Sequence, residues 1–500
     1  MDDKRGDQIT AEMERTPRLS KSKFVAGLQC HKRLHLEIYQ PQLATPPDAG
    51  TQAILDMGTE VGVLARERFP GGRLVTAGYR QTEAALAQTA ELIADVSVPA
   101  IFEAAVLADG ILIRVDVLER AEAGWRLIEV KSSTKVKDVH LHDLAVQYYV
   151  LTCAGLPVVG SGLMHVDNGY LYTGGVVDVG ALFAIQDVSA AVLARQPVVV
   201  EGLAGMRAML RLPEPPAIEP DHHCLTPYEC PFWAHCTSGK PARWIFHLPG
   251  AKQVVQQLAA QGVQLIDDIP ERIKLSTAQR RVKENVEWVS GQLGRALAAV
   301  QYPVHHLDFE TVMLAVPRFA GTRPYQALPV QWSNHIEQAS GQVVHHEYLH
   351  VDGTDPRQRV AETLLDSLGG TGSICVYSPY EQSVIEQLAD ALPEWRVALR
   401  ALVKRIWDLH AIVKDHYYHP EFGGSYSLKD VLPALVPSLR YADLAIQEGG
   451  QAASEYYRMV FVVTDWVEQA RIREELLAYC KQDTLALVEL RRVLREKAGG

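Results

Sequence analysis

Three apolar, alternating runs in this chain carry charged residues where a buried strand would exclude them, and that conflict limits what the chain can fold into. The runs are ILIRVDVLER, GWRLIEVKSS and VHHLDFETV. Alternation of period two marks a β-strand, in which residues two apart share a face. Glu129 and Lys131 therefore project together, and so do Asp308 and Glu310. A charge set among Leu, Ile and Val is costly unless it has a partner or a task.

Between such runs the apolar period becomes helical. Helices are expected through the thirties and over 53–68, 82–95 and 141–154, with strands over 99–108, 158–167 and 170–177. A chain of 500 residues, 47% hydrophobic, exceeds one core. It reads as a flexible, charged lead-in (1–18), an α/β domain (19–247), a mostly helical connector (248–300) and a second α/β domain (301–500). The proline-rich stretch 210–221 is read as extended. The connector opens with QVVQQLAAQGVQLIDDIP, which reads as a helix–turn–helix with Gly262 as C-cap.

The net charge of −11 speaks against a protein that coats nucleic acid through bulk positive charge. It leaves room for a local basic channel. Arg18–Arg33, with Lys21, Lys23 and Lys32, is one basic stretch; Arg272, Lys274, Arg280, Arg281 and Lys283 form another, read as a solvated helix face. No apolar run reaches the ~20 residues of a membrane span, and the N-terminus lacks an apolar signal region. A cytoplasmic protein with no membrane partner is expected.

A hairpin joining the first two runs would bring Asp116 beside Glu129 and Lys131. Two carboxylates can hold Mg²⁺ or Mn²⁺, which prefer oxygen ligands. A lysine beside them can position a nucleophile or neutralise developing charge, and phosphodiester hydrolysis needs these parts. Gln147, in DLAVQYYVL, sits on a helix able to face the same place. This set (Asp, Glu-x-Lys, then a helical Gln) resembles the RecB-like branch of the PD-(D/E)xK nucleases. The resemblance implies that Asp116, Glu129, Lys131 and Gln147 are catalytic, with Glu103 as an extra metal ligand beside Asp116 and Glu129. Leu151 stands where that family often has Tyr, and MGTEVGVLARERF lacks the His that many members place on the first helix.

Near the chain end, LLAYCKQDTLALVEL sets Tyr479 and Asp483 four apart on one helix face. Asp-x-Glu on a first strand with Tyr-x3-Asp on a late helix resembles the DEDD exonucleases of the RNase H-like fold. The resemblance implies that Asp308, Glu310 and Asp483 bind two metal ions while Tyr479 orients the attacking water. The middle acidic residue is Glu381 or Asp408, and Lys429 is a candidate phosphate contact.

Of seven cysteines, Cys224, Cys230 and Cys236 fall at spacings of six and six in CLTPYECPFWAHC, with Cys30 far upstream. In a reducing compartment such a group is read as a metal site before a disulfide framework. The arrangement resembles the iron–sulfur-bearing RecB-like nucleases, including CRISPR-associated members, and implies a 4Fe–4S cluster on Cys30, Cys224, Cys230 and Cys236. Zinc, with help from His222, His223 or His235, stays open. Cys153, Cys375 and Cys480 are expected to be ordinary buried residues.

Taken whole, the chain resembles a bacterial family of formerly unknown function that joins a RecB-like domain to a DEDD-like one. That implies a PD-(D/E)xK restriction-endonuclease-like domain followed by an RNase H-like α/β domain. It further implies an Mg²⁺- or Mn²⁺-dependent nuclease acting on DNA, single-stranded or at ends, in repair, recombination or defence, with 3′→5′ polarity for the second domain and a helicase partner left open. An RNA exonuclease, or a nucleic-acid-binding scaffold with a decayed first site, is the alternative.

Overall fold

A computed structural model describes residues 17–47, 49–250 and 252–499; most of the expected lead-in, up to residue 16, lies outside the described residues. The fold is mixed α/β and forms two compact units. Described residues up to Pro47, with Ile54–Gly239 and Ala315–Pro324, make the first; Lys240–Leu314 and the chain from Tyr325 belong to the second.

The first unit is built on a seven-stranded sheet: β1 (Leu19–Ser20), β2 (Arg73–Leu74), β3 (Ala100–Ala108), β4 (Ile111–Ala121), β5 (Gly124–Lys131), β6 (Val158–Val166) and β7 (Phe183–Asp187). The order is β2-β3-β4-β5-β6-β7, with β1 beside β4. β3, β4 and β5 are successive antiparallel neighbours, and β6 runs parallel to β5. On β4, Ile111, Ile113, Val115 and Val117 are buried, so Arg114 and Asp116 share the other face. Helix Asp138–Cys153 contributes Leu144, Val150 and Leu151 to the core that holds Ile113, Val115 and Leu127. At Gly124, φ is +151°, and a Cβ there would collide with the Pro157 carbonyl, so β5 can start this close to β6 only on glycine.

The strand expected over 170–177 does not form. Asp167 closes a turn by accepting from Gly169 N (2.8 Å), and Asp178 caps the short helix Val179–Leu182. Between them only Tyr172 makes a bridge, to Thr322, and the added strand is β7.

The second unit contains β8 (Trp288–Val289), β9 (Val304–Met313), β10 (Ala327–Glu337), β11 (Val343–Leu349), β12 (Ser373–Val376), β13 (Ile406–Asp408) and β14 (Tyr417–Tyr418). Its main sheet runs β11-β10-β9-β12-β13, antiparallel through β9 and parallel beyond it. β9 is thus the central strand. Leu307 and Phe309 join Trp332, Val360, Leu364, Val384 and Leu388 in one core, under helices Arg357–Leu368 and Tyr380–Ala391. Helix Trp466–Gly499 lies against β9 and β10. Its rotation is fixed by Gln331 Nε2 donating to Leu476 O (2.9 Å) and by Thr484 Oγ1 bonding to Ser333 (2.7 Å) and His335 (2.8 Å). Gly372, before β12, has φ +89°, and a Cβ there would strike the Pro303 carbonyl before β9.

The expected helix–turn–helix at the start of the connector is corrected. Helix Lys252–Ala260 closes near Gly262, with Val263 N bonding Leu258 O (3.1 Å). The chain then pairs in extended form, Trp244 bridging Leu265 and Ile245 N bonding Gln264 O (3.0 Å). Backbone groups committed to that pairing are unavailable to a second helix, and only one turn forms, at Ile266–Asp268.

Candidate functional site

In the first unit, β4 and β5 pair in register as far as Val117–Ile128, one position short of Asp116 and Glu129. There the ladder opens. Val130 N donates to Asp116 Oδ2 (2.8 Å) instead of to a backbone carbonyl. Glu129 is 1% exposed and accepts from Lys131 Nζ (2.8 Å) and Lys21 Nζ (2.7 Å) on Oε1, and from Gln147 Nε2 (2.7 Å) on Oε2. Lys131 also donates to Asp143 Oδ2 (2.8 Å). Asp116, Glu129, Lys131 and Gln147 are therefore brought together. Glu103, on β3, lies opposite Asp116 of β4, between the pairs Phe102–Val117 and Ala104–Val115, with φ +56°. It lines the same cavity as Asp116 and pairs with Arg66 (3.5 Å).

The charges divide the labour. Burial, with the charge of Glu129, raises the Asp116 carboxyl to about 7. Burial would also raise Glu129, but the ammonium groups of Lys131 and Lys21 outweigh it and hold that carboxylate well below its ordinary range. Burial opposes the charge on Lys131, yet Glu129 and Asp143 keep it firmly protonated. Gln147 Oε1 is buried without a hydrogen-bond partner beside these groups. The donor set of carboxylate and amide oxygens fits a hard divalent cation.

In the second unit, β9 presents Asp308 and Glu310, and the helix that crosses it presents Tyr479 and Asp483. Ligand atoms of Asp308, Glu310 and Cys480 lie within 4.8 Å of one another. Cys480 Sγ donates to Asp308 Oδ2 at 3.6 Å. Tyr441 OH makes a short hydrogen bond to Asp483, and its ring packs 6.0 Å from that of Tyr479. Burial and the charges of Asp483, Glu310 and Glu381 raise Asp308 well above a carboxylate's ordinary range. Burial and Asp483 do the same to Glu310. Burial lifts Glu381 and Asp483 to about 7 each. Three buried carboxylates and the half-buried Asp308, repelling one another, fit a site for a divalent cation.

Glu381 and Asp408 separate here. Glu381 is buried, accepts from Ser378 Oγ (3.0 Å) and acts electrostatically on Asp308 and Glu310. Asp408 caps helix Leu409–His416 by accepting from His410 N (2.9 Å) and Ala411 N (3.3 Å). Its charge acts on Glu381, one step removed from the cluster. Lys429 lies at the rim, 3.7 Å from Glu448, and its charge opposes the rise of Glu310 and Asp483.

The cysteines of the third group also meet. Cys30 ends helix Lys21–Gln29 and starts helix His31–Tyr39. Cys224, Cys230 and Phe232 pack with Leu36 in a small apolar cluster against which Cys236 lies, and Cys30 acts electrostatically on all three thiols. Burial raises these thiols, Cys230 to about 11. His223 Nε2 is 3.5 Å from Cys224 Sγ. Gln29 Nε2 donates to His223 O and Tyr228 O (2.8 Å each), fastening the cysteine loop to the first helix. Cys375 and Cys480 are buried as expected, but Cys153, at a helix C-terminus, is exposed.

Lys21, Asp143, Tyr441 and Cys480 escaped the sequence reading. Cys480 had a usable signal, since it sits between Tyr479 and Asp483 on a helix face that must meet β9. A family model described as a domain of unknown function (DUF2779) matches residues 305–427. That span holds Asp308, Glu310, Glu381 and Asp408 and stops short of Tyr479 and Asp483. No curated protein and no solved structure matches the chain.

Proposed function

We propose that this chain is a metal-dependent nuclease with two phosphodiester-hydrolysing sites, a RecB-like PD-(D/E)xK domain followed by a DEDD-type RNase H-like exonuclease domain. The observation that carries the reading is the convergence of Asp308, Glu310, Glu381 and Asp483 around one buried point, with the Tyr479 ring alongside. So many carboxylates gathered together, with no compensating cation in contact among the described residues, are a poor structural device and a good metal cradle.

Asp308, Glu310 and Asp483 would hold Mg²⁺ or Mn²⁺ in the second unit, and Glu103, Asp116 and Glu129 in the first. A divalent ion there would supply an activated water and charge stabilisation for the phosphate. Tyr479, kept a neutral phenol by burial and by Asp483, can orient the water. In the first unit, Lys131 can hold a proton-donating ammonium against developing negative charge, because Glu129 and Asp143 lock its position. Four thiolates from Cys30, Cys224, Cys230 and Cys236 suit a 4Fe–4S cluster.

A second reading of the first unit has a specific observation in its favour. Both oxygens of Glu129 are already engaged by Lys21, Lys131 and Gln147, as in a site that binds nucleic acid without cutting it. End-labelled single- and double-stranded DNA, and matched RNA, should be incubated with Mg²⁺ or Mn²⁺ and wild type, Lys131→Ala or Asp308→Ala. Distinct losses from each variant support two working sites. A wild type inert on every substrate overturns the proposal.

A further inference from the structure

A cavity of about 260 Å³ opens beside Asp116 and is lined by Lys21, Ser22, Tyr79, Glu103, Arg114 and other residues of the first unit. Its floor is acidic and its wall is not. Tyr79 is 80% exposed, an unusual position for an aromatic ring. One face of the ring carries the Arg114 guanidinium, 4.7 Å from the centroid.

Both groups are held in place. Arg114 Nη2 donates to Ala77 O (2.7 Å) and Gly78 O (2.9 Å). These acceptors are neutral, so the guanidinium keeps its charge available. The turn that presents Tyr79 is pinned by Gln88 Oε1, which accepts from Thr76 N (3.0 Å) and Ala77 N (3.2 Å), and by Gln81 Oε1, which accepts from Gly78 N (3.0 Å). An exposed ring on an anchored turn, backed by a cation and set beside carboxylates that could hold a metal, matches what an unstacked nucleotide needs.

We propose that this cavity is a subsite for one unpaired nucleotide of a single strand, its base stacked on Tyr79 and its phosphate drawn by Arg114 toward Asp116 and Glu103. The proposal rests on the nuclease reading of the first unit and adds to it the residues, Tyr79 and Arg114, that would hold the nucleotide. A cavity of this size takes a single base; a base pair in a stacked duplex must open first. The first unit therefore prefers single strands and frayed ends.

The test uses the full chain in EDTA, so that binding is read without cleavage. A fluorescent single strand containing 2-aminopurine and the matching duplex are titrated with wild type, Tyr79→Leu and Tyr79→Trp, with a free deoxymononucleotide as competitor. Because Tyr79 is exposed, these changes leave the core intact. Expected are tighter binding of the single strand than of the duplex, about a 10-fold loss in Tyr79→Leu, retention in Tyr79→Trp, and 2-aminopurine quenching that Tyr79→Leu abolishes. Competition by the mononucleotide alone locates the contact in the nucleotide itself, whereas none assigns it to the strand backbone and overturns the stacking role. Equal binding and quenching in Tyr79→Leu, while wild type still degrades DNA with metal, overturns the subsite and leaves the nuclease reading standing. A wild type that neither binds nor degrades DNA removes both.

Discussion

Lys21 donates a 2.7 Å hydrogen bond to Glu129 across 108 positions of sequence, so Glu129 serves two ammonium groups where its Glu-x-Lys motif announces one. The second lysine is the opening residue of the helix Lys21–Gln29, whose opposite end carries Cys30. Removing its charge with Lys21→Met should slow cleavage at the first site by on the order of 10²-fold. It should also destabilise that unit by about 1–3 kcal/mol, the scale of a hydrogen bond to a buried charged group. Cleavage assays in an Asp308→Asn background and chemical denaturation check both. Unchanged cleavage would leave Lys21 a structural partner only.

The acid cluster of the second unit predicts opposite signs for activity and stability. Asp308→Asn should abolish the second site's cleavage, yet raise the stability of the metal-free chain by about 1–2 kcal/mol at neutral pH, because Asn removes the cost of a carboxyl whose protonation the cluster raises far above its unfolded range. Thermal unfolding in EDTA, set beside exonuclease assays of the same variant, reads the two effects. A loss of both would mean that the carboxylate supports the fold.

The same groups set a pH slope. Unfolded carboxyls titrate near ~4, whereas Glu381 and Asp483 titrate at about 7 in the fold. Between those values the folded state binds more protons than the unfolded one, so stability falls as pH rises through that window. The metal-free chain should have a lower denaturation midpoint at pH 8 than at pH 5.5, and Mn²⁺ should recover most of the difference. A midpoint that rises with pH in EDTA would contradict the assignment.

Glu381 and Asp408 should part company on mutation. Glu381→Gln should inactivate the second site with little loss of stability. Asp408→Ala should cost about 1 kcal/mol as a lost helix cap and leave most of the activity. Exonuclease rates and melting temperatures of the two variants decide it, and the reverse pattern would make Asp408 the ligand.

Anaerobically purified protein should be brown and contain iron and acid-labile sulfide, and Cys224→Ser should lose both. The cluster would close the loop from Cys30 to Cys224, so the variant should also unfold several kcal/mol earlier on the scale of long covalent loop closures, roughly 4–5 kcal/mol. Colourless protein with stoichiometric zinc would exclude iron.

Strand-borne motifs were legible because a charge inside an apolar period-two run stands out. Asp116, Glu129, Asp308 and Glu310 were found that way, and Gln147, Tyr479 and Asp483 followed from helical spacing. Lys21, Asp143 and Tyr441 were not legible, since each reaches its partner (Glu129, Lys131 and Asp483) from an element whose own pattern is unremarkable. The choice between Glu381 and Asp408 hung on which carboxylate was already occupied by backbone N–H groups, a matter of helix starts rather than residue type. The strand expected over 170–177 failed because two aspartates close turns at its ends, a local polar chemistry that apolar alternation does not register.

Gly124 and Gly372 give the two sites a shared weakness at a distance. Each lets a proline carbonyl sit where a side chain would otherwise be. Gly124 lies five residues before Glu129, and the Pro303 carbonyl five residues before Asp308, some 17 Å along a strand. A methyl group at either glycine would act as a wedge at the far end of the strand pair and tilt the carboxylates out of line. Loss of function would then arise in a variant whose every active-site residue is intact.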